Sequence, residues 1–131
     1  MKRLSIRPDQ QIHALLNTHC ETLKHHIGEA ERLSLQLAQR VGADDTLRAL
    51  VHVAHKIAGT GGTMGFDLLS QKAFALETFA KNVLRNAQGS QDDAVGVIRA
   101  LTRSLSNVGA GLKPEQSRLR QRLLLEKAGA R

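Results

Sequence analysis

The segment Leu50-Val51-His52-Val53-Ala54-His55-Lys56-Ile57-Ala58-Gly59-Thr60-Gly61-Gly62-Thr63-Met64-Gly65-Phe66 concentrates the residues that could do chemistry. A neutral imidazole near pH 7 is a good nucleophile when one nitrogen is free and the other donates a hydrogen bond that fixes the tautomer; it can equally bind a metal. Glycine is the other oddity. Each glycine inside a helix costs about 1 kcal/mol relative to alanine, so Gly59, Gly61 and Gly62 together weaken any helix that continues through them. Something must require them.

On a helical wheel Leu47, Leu50, Val51, Ala54 and Ile57 cluster, and His55 falls roughly 100° from their centre, half in and half out of the buried stripe. Gly59 lies one turn further along the same face, where a side chain would lean back over the imidazole. Glycine there leaves the ring within reach of a large partner. Two plainer readings stay open at this point. The glycines could mark a loose helix end with His55 an ordinary boundary residue, or His52 and His55 could be a metal pair, with His25 and His26 elsewhere in the chain. A His-x-x-His pair alone is weak evidence, and metal sites in helical bundles draw carboxylates from several facing helices, whereas the inward stripes here are nearly all apolar. No metal site is expected.

The elements that must position these residues are helical. Apolar residues recur at three- and four-residue steps, without sustained alternation. The first helix starts near Pro8 and Asp9 and carries Ile12, Leu15, Leu16, His19, Leu23, Ile27, Ala30, Leu33, Leu37 and Val41, with Gly28 a place for a kink. A Gly42-Ala43-Asp44-Asp45 turn supplies a stop and an N-cap, and the second helix runs into the glycines. The third reads from about Phe66 to Ala87 with Leu69, Ala73, Leu76, Ala80 and Val83 inward and ends at Gly89. After an N-cap box at Ser90 to Asp93, the fourth carries Ala94, Val97, Ile98, Leu101, Leu105 and Val108 and stops near Gly109 and Gly111. These predict an all-α, antiparallel four-helix bundle over residues 1–111. Residues 112–131 form a basic tail, either a fifth helix or a tether.

Composition narrows the function classes. Of 131 residues 41% are hydrophobic and 24% charged, the balance of one soluble globular domain. No apolar run approaches the roughly 20 residues of a membrane helix, and Met1 to Gln10 lacks an apolar signal core, so a cytoplasmic protein without membrane attachment is expected. Cys20 is the single cysteine and reads as a buried small hydrophobe, not a disulfide or cluster ligand. With no Trp, no Tyr and three Phe, the stacking platforms of single-stranded nucleic-acid binders are missing. The net charge of +7 favours an acidic partner. Much of it sits in the tail, where Lys113, Arg118, Arg120, Arg122, Lys127 and Arg131 oppose Glu115 and Glu126. A basic helical interaction protein is therefore an alternative, testable by a steep fall of affinity with salt.

The spacing around His55 resembles the histidine-containing phosphotransfer (HPt) family. That family's pattern is a histidine followed by an aliphatic residue two later, Gly four later, a small hydroxyl five later and Gly ten later, here His55, Ile57, Gly59, Thr60 and Gly65. A Leu-Glu pair one helix on is matched by Leu76 and Glu77, and the likeness extends over about Asp9 to Gly109. The resemblance implies a phosphorelay intermediate of two-component signalling, phosphorylated on His55, with Glu77 accepting from the ring. In the residues themselves, a Glu at the edge of the third helix's apolar face could do this, or could instead pair with Lys81. The implied partners are response-regulator receiver domains, which bring Mg²⁺, and a histidine kinase of the hybrid type, and a monomer is expected. The resemblance implies a carrier that needs no nucleotide site and is not an enzyme in its own right; consistently, Gly59 to Gly65 lacks the closing Lys-Ser or Lys-Thr of a phosphate-binding loop and no strand precedes it.

One departure stands out. The family commonly has Lys three residues after the histidine, and this chain has Ala58. Lys56, then Arg48 on the same face and Lys72 on the next helix, are the candidate substitutes, with Lys56 the first choice. Arg48, His52 and Gly62 extend the face and are the expected receiver contacts. The absent lysine also keeps alive an adaptor that binds a receiver or kinase without carrying phosphate.

Overall fold

This computed structural model describes residues 7–39, 43–86 and 91–129. Five α-helices occur among them: α1 Pro8–Ala38, α2 Ala43–Thr63, α3 Asp67–Arg85, α4 Gln91–Ala110 and α5 Arg118–Gly129, with a 3₁₀ turn at Pro114–Gln116 before the last. Val41, Gly42, Ala87, Gly89, Ser90 and Arg131 lie outside the described residues. Helices α1 to α4 pack in a ring, each against its neighbours in sequence and α4 back onto α1, as an antiparallel four-helix bundle does. Among the described residues no helix is long and apolar enough to cross a membrane.

The core is the sum of the four apolar stripes. Leu16, Leu23, Leu50, Ile57, Leu69, Leu76, Ile98 and Leu105 are fully enclosed, and each such burial contributes about 1.5–3 kcal/mol. Helix α1 places Leu16, Cys20, Leu23, Ile27, Ala30 and Leu37 on one seam and runs unbroken through Gly28. Burial pushes the Cys20 thiol pKa up, away from the reactive thiolate.

Several expectations need correction. Leu15 and Val97 are exposed; in each case the next residue, Leu16 or Ile98, takes the inward position, and the side chain before it is rotated roughly 100° away. Asp44 and Asp45 lie inside the first turn of α2 instead of capping it from outside, where their charge complements the helix dipole. Helix α3 stops at Arg85, short of Ala87, because Asn86 leaves helical geometry.

The turn between α2 and α3 is closed from the far end of the chain. Gly65 has φ +83°, a left-handed conformation that favours glycine. Its carbonyl accepts the Arg118 backbone N–H at 2.9 Å, while the Ser117 hydroxyl donates to the Met64 carbonyl and accepts from the Arg120 N–H. Ser117 thereby caps α5 and pins it to the bundle at once. Arg118 Nη1 adds a 2.6 Å contact to Asp67 Oδ2, and Leu112, Pro114 and Ser117 are buried. The basic tail thus begins as part of the packed structure.

Candidate functional site

Helix α2 continues to Thr63, so Gly59, Gly61 and Gly62 are helical. Arg48, His52, His55, Gly59 and Gly62 recur at three- and four-residue steps and are all exposed, forming one line along the helix. The His55 side chain is 72% exposed, more open than its wheel position suggests. A Cβ on Gly59 would meet nothing within 4 Å. The space above the imidazole belongs to solvent.

Beneath the ring the environment changes. Glu77 on α3 is 5% exposed, and its Oε2 lies 2.9 Å from His55 Nδ1 and 2.8 Å from Lys81 Nζ. Burial alone would raise the Glu77 pKa, but hydrogen bonds from Lys81 and His55, with their charges, outweigh it and hold the carboxyl below its ordinary value. An ionised carboxylate only accepts, so Nδ1 carries a proton, and in the neutral tautomer that this contact selects the lone pair lies at Nε2. Glu77 is therefore neither a surface residue nor a partner of Lys81 alone; it serves both side chains through one oxygen.

This geometry has a pH consequence. A carboxyl whose folded pKa is lowered stabilises the fold above its unfolded pKa of about 4.3 and loses that contribution as pH falls through the folded value. The melting temperature of the wild type should accordingly drop more steeply than that of Glu77→Gln as pH is taken from 6 down through the acid range. Parallel curves in a thermal titration would contradict the coupling.

Two shallow grooves flank the histidine. One, toward α1, is lined by His19, Lys56, Thr60 and Met64; the other, toward α3, by Ala58, Ser70, Phe74, Glu77 and Lys81. Lys56 is exposed and Thr60 partly buried, while Arg48 is drawn back to Asp45 at 3.6 Å. Phe74, 63% exposed, and Leu68 are surface apolar residues on α3 that lie outside its inward stripe. Phe74 precedes Glu77 by three residues, a helical spacing that puts both on one side of α3. The Ser70 hydroxyl donates to the Ala58 carbonyl at 2.7 Å and would meet a Cβ on Gly62 at 3.2 Å, which ties the glycines to the close approach of α2 and α3.

Among the described residues no three His, Cys, Asp or Glu side chains converge to hold a metal ion. His25 and His26 instead flank Glu29, each at 3.4 Å.

No curated protein and no solved structure matches the chain significantly. The model of the Hpt domain matches residues 14–111, which contain α2, α3, the exposed imidazole and the carboxylate behind it. The chain belongs to the Hpt domain family, phosphocarrier modules of two-component and phosphorelay signalling that work with kinases and receiver domains.

Proposed function

We propose that this protein is a phosphorelay intermediate that accepts a phosphoryl group on His55 Nε2 from one receiver aspartate and donates it to another. The observation that carries this reading is the 2.9 Å contact between His55 Nδ1 and a buried carboxylate beneath an otherwise exposed ring. In the forward step the Nε2 lone pair attacks phosphorus in line, the N–P bond forms, the O–P bond breaks and its electron pair returns to the aspartate carboxylate. The Nδ1 proton stays on the ring, where Glu77 stabilises the positive charge that develops. Such transfers depend mainly on positioning and electrostatics. The receiver supplies Mg²⁺ and the acidic pocket; the bundle supplies the nucleophile and a docking face of Arg48, His52, Gly59 and Gly62, with Lys56 and Thr60 beside it. A monomer acting in the cytoplasm, served by a hybrid histidine kinase, fits this role.

The test is incubation of the full chain with a receiver charged by a small phosphodonor, followed by product stability. A protein-bound phosphate stable in base and lost in acid is expected. Receiver binding without any such label would instead identify the adaptor.

Gly59 offers a second check, because its surroundings are open. Gly59→Leu should fold as well as the wild type, with helix propensity favouring the variant by up to about 1 kcal/mol. Its side chain would stand beside the imidazole where the partner must approach, so the transfer rate should fall at least about tenfold. Equal rates in rapid-quench assays would remove the clearance role.

A further inference from the structure

We infer that Lys81 is the cation of this site, an α3 lysine that shields Glu77 while His55 is empty and turns to the phosphoryl oxygens once His55 is loaded. The inference rests on the phosphocarrier reading of His55 and goes beyond it by naming the charge partner. Its basis is a shared atom: Lys81 Nζ and His55 Nδ1 lie 2.8 and 2.9 Å from the same Glu77 oxygen. That places the ammonium one carboxylate away from the imidazole.

The rest of the surroundings singles out the same residue. Ala58, facing this groove from α2, offers no charge. Lys56 lines the other groove, beside His19 from α1. Arg48 is two helical turns, about 10 Å, from His55 and already engages Asp45. Lys81 alone combines a position in the groove behind the ring with a side chain that is 46% exposed and has room to swing.

Charge explains what it would do. A phosphoryl group on Nε2 brings close to two negative charges near the Glu77 carboxylate, which cannot retreat because it is buried. Lys81 offsets that repulsion, and its three donors can serve Glu77 and a phosphoryl oxygen together. No bond to Lys81 forms or breaks. It acts on the transferred group electrostatically while His55 remains the nucleophile.

The experiment compares transfer rates from a charged receiver to the full-length wild type, Lys81→Gln, Lys81→Arg, Lys81→Gln with Ala58→Lys, and Arg99→Gln. Arg99 is an exposed α4 residue in the α1/α4 groove, away from His55, and controls for the loss of one positive charge. Lys81→Gln should slow transfer roughly tenfold or more, Lys81→Arg should keep most of the rate, and Arg99→Gln should change it less than about twofold. Ala58→Lys, which puts an ammonium into the same groove from α2, should recover most of the loss in the Lys81→Gln background. Independently of transfer, the Glu77 carboxyl titration followed by ¹³C NMR should move up in Lys81→Gln. A wild-type rate in Lys81→Gln, or no recovery from Ala58→Lys, overturns the inference. A wild type that takes no phosphate from receivers or from phosphoramidate overturns the phosphocarrier reading instead.

Discussion

His55→Gln should give a folded bundle that acquires no acid-labile phosphate from a charged receiver, a loss of at least about a thousandfold. Glutamine has no nitrogen nucleophilic toward phosphorus, so the residual rate is that of background labelling. The fold should hardly notice. The replaced side chain is 72% exposed, and Glu77 keeps its contact with Lys81 when the imidazole is gone. Receiver binding should persist, because Arg48, His52, Gly59 and Gly62 of the proposed docking face are untouched. Circular dichroism, a binding titration and phosphate labelling on the same sample separate these outcomes. Unchanged labelling would place the phosphorylated residue elsewhere.

Gly65→Ala should be the most damaging glycine-to-alanine change among the described residues, costing about 2–4 kcal/mol in urea denaturation. Two independent penalties act there. The residue has φ +83°, and a Cβ would come within 2.8 Å of the Arg118 nitrogen and closer still to that of Leu119. Relief would require lifting the start of α5 away from the α2–α3 turn. That would break the bond from the Arg118 N–H to the Gly65 carbonyl and put the Ser117 bond to the Met64 carbonyl at risk. Hydrogen exchange at Arg118 should therefore accelerate in the variant. Gly59→Ala is the matched comparison, with open space and ordinary helical geometry, and should be neutral or slightly stabilising. Equal stability of the two variants would mean that α5 is not seated on Gly65.

These two glycines show what a linear reading can and cannot recover. The four helices were legible from three-and-four spacing because burial in a bundle is a local periodic property, and Pro8 marked the first start correctly. A fifth helix was one of the two readings left open for the tail, and it is present. Gly65, by contrast, is explained by residues more than fifty positions away, and no local pattern announces that Ser117 to Leu119 will lie against it. At the site, the i,i+4 spacing of Glu77 and Lys81 is visible in the sequence, but spacing offers Lys81 and His55 only as alternative partners of Glu77. They coexist because a carboxylate oxygen accepts more than one bond, a three-dimensional fact that pairwise spacing does not encode. Phe74 went unremarked because exposure of a large apolar residue violates the pattern used to find helices.

The imidazole stands on an open ridge and not in a cleft with two entrances. A carrier of this shape has one berth. On the proposed function, donor and acceptor would take turns at it, and flux through the relay would be bounded by how quickly the first partner leaves. Tight binding of either would throttle the exchange. With association rates of about 10⁵–10⁷ M⁻¹s⁻¹, release within a second or less calls for dissociation constants no tighter than about 0.1–10 μM. The exposure that makes His55 reachable thus favours partners that hold it loosely.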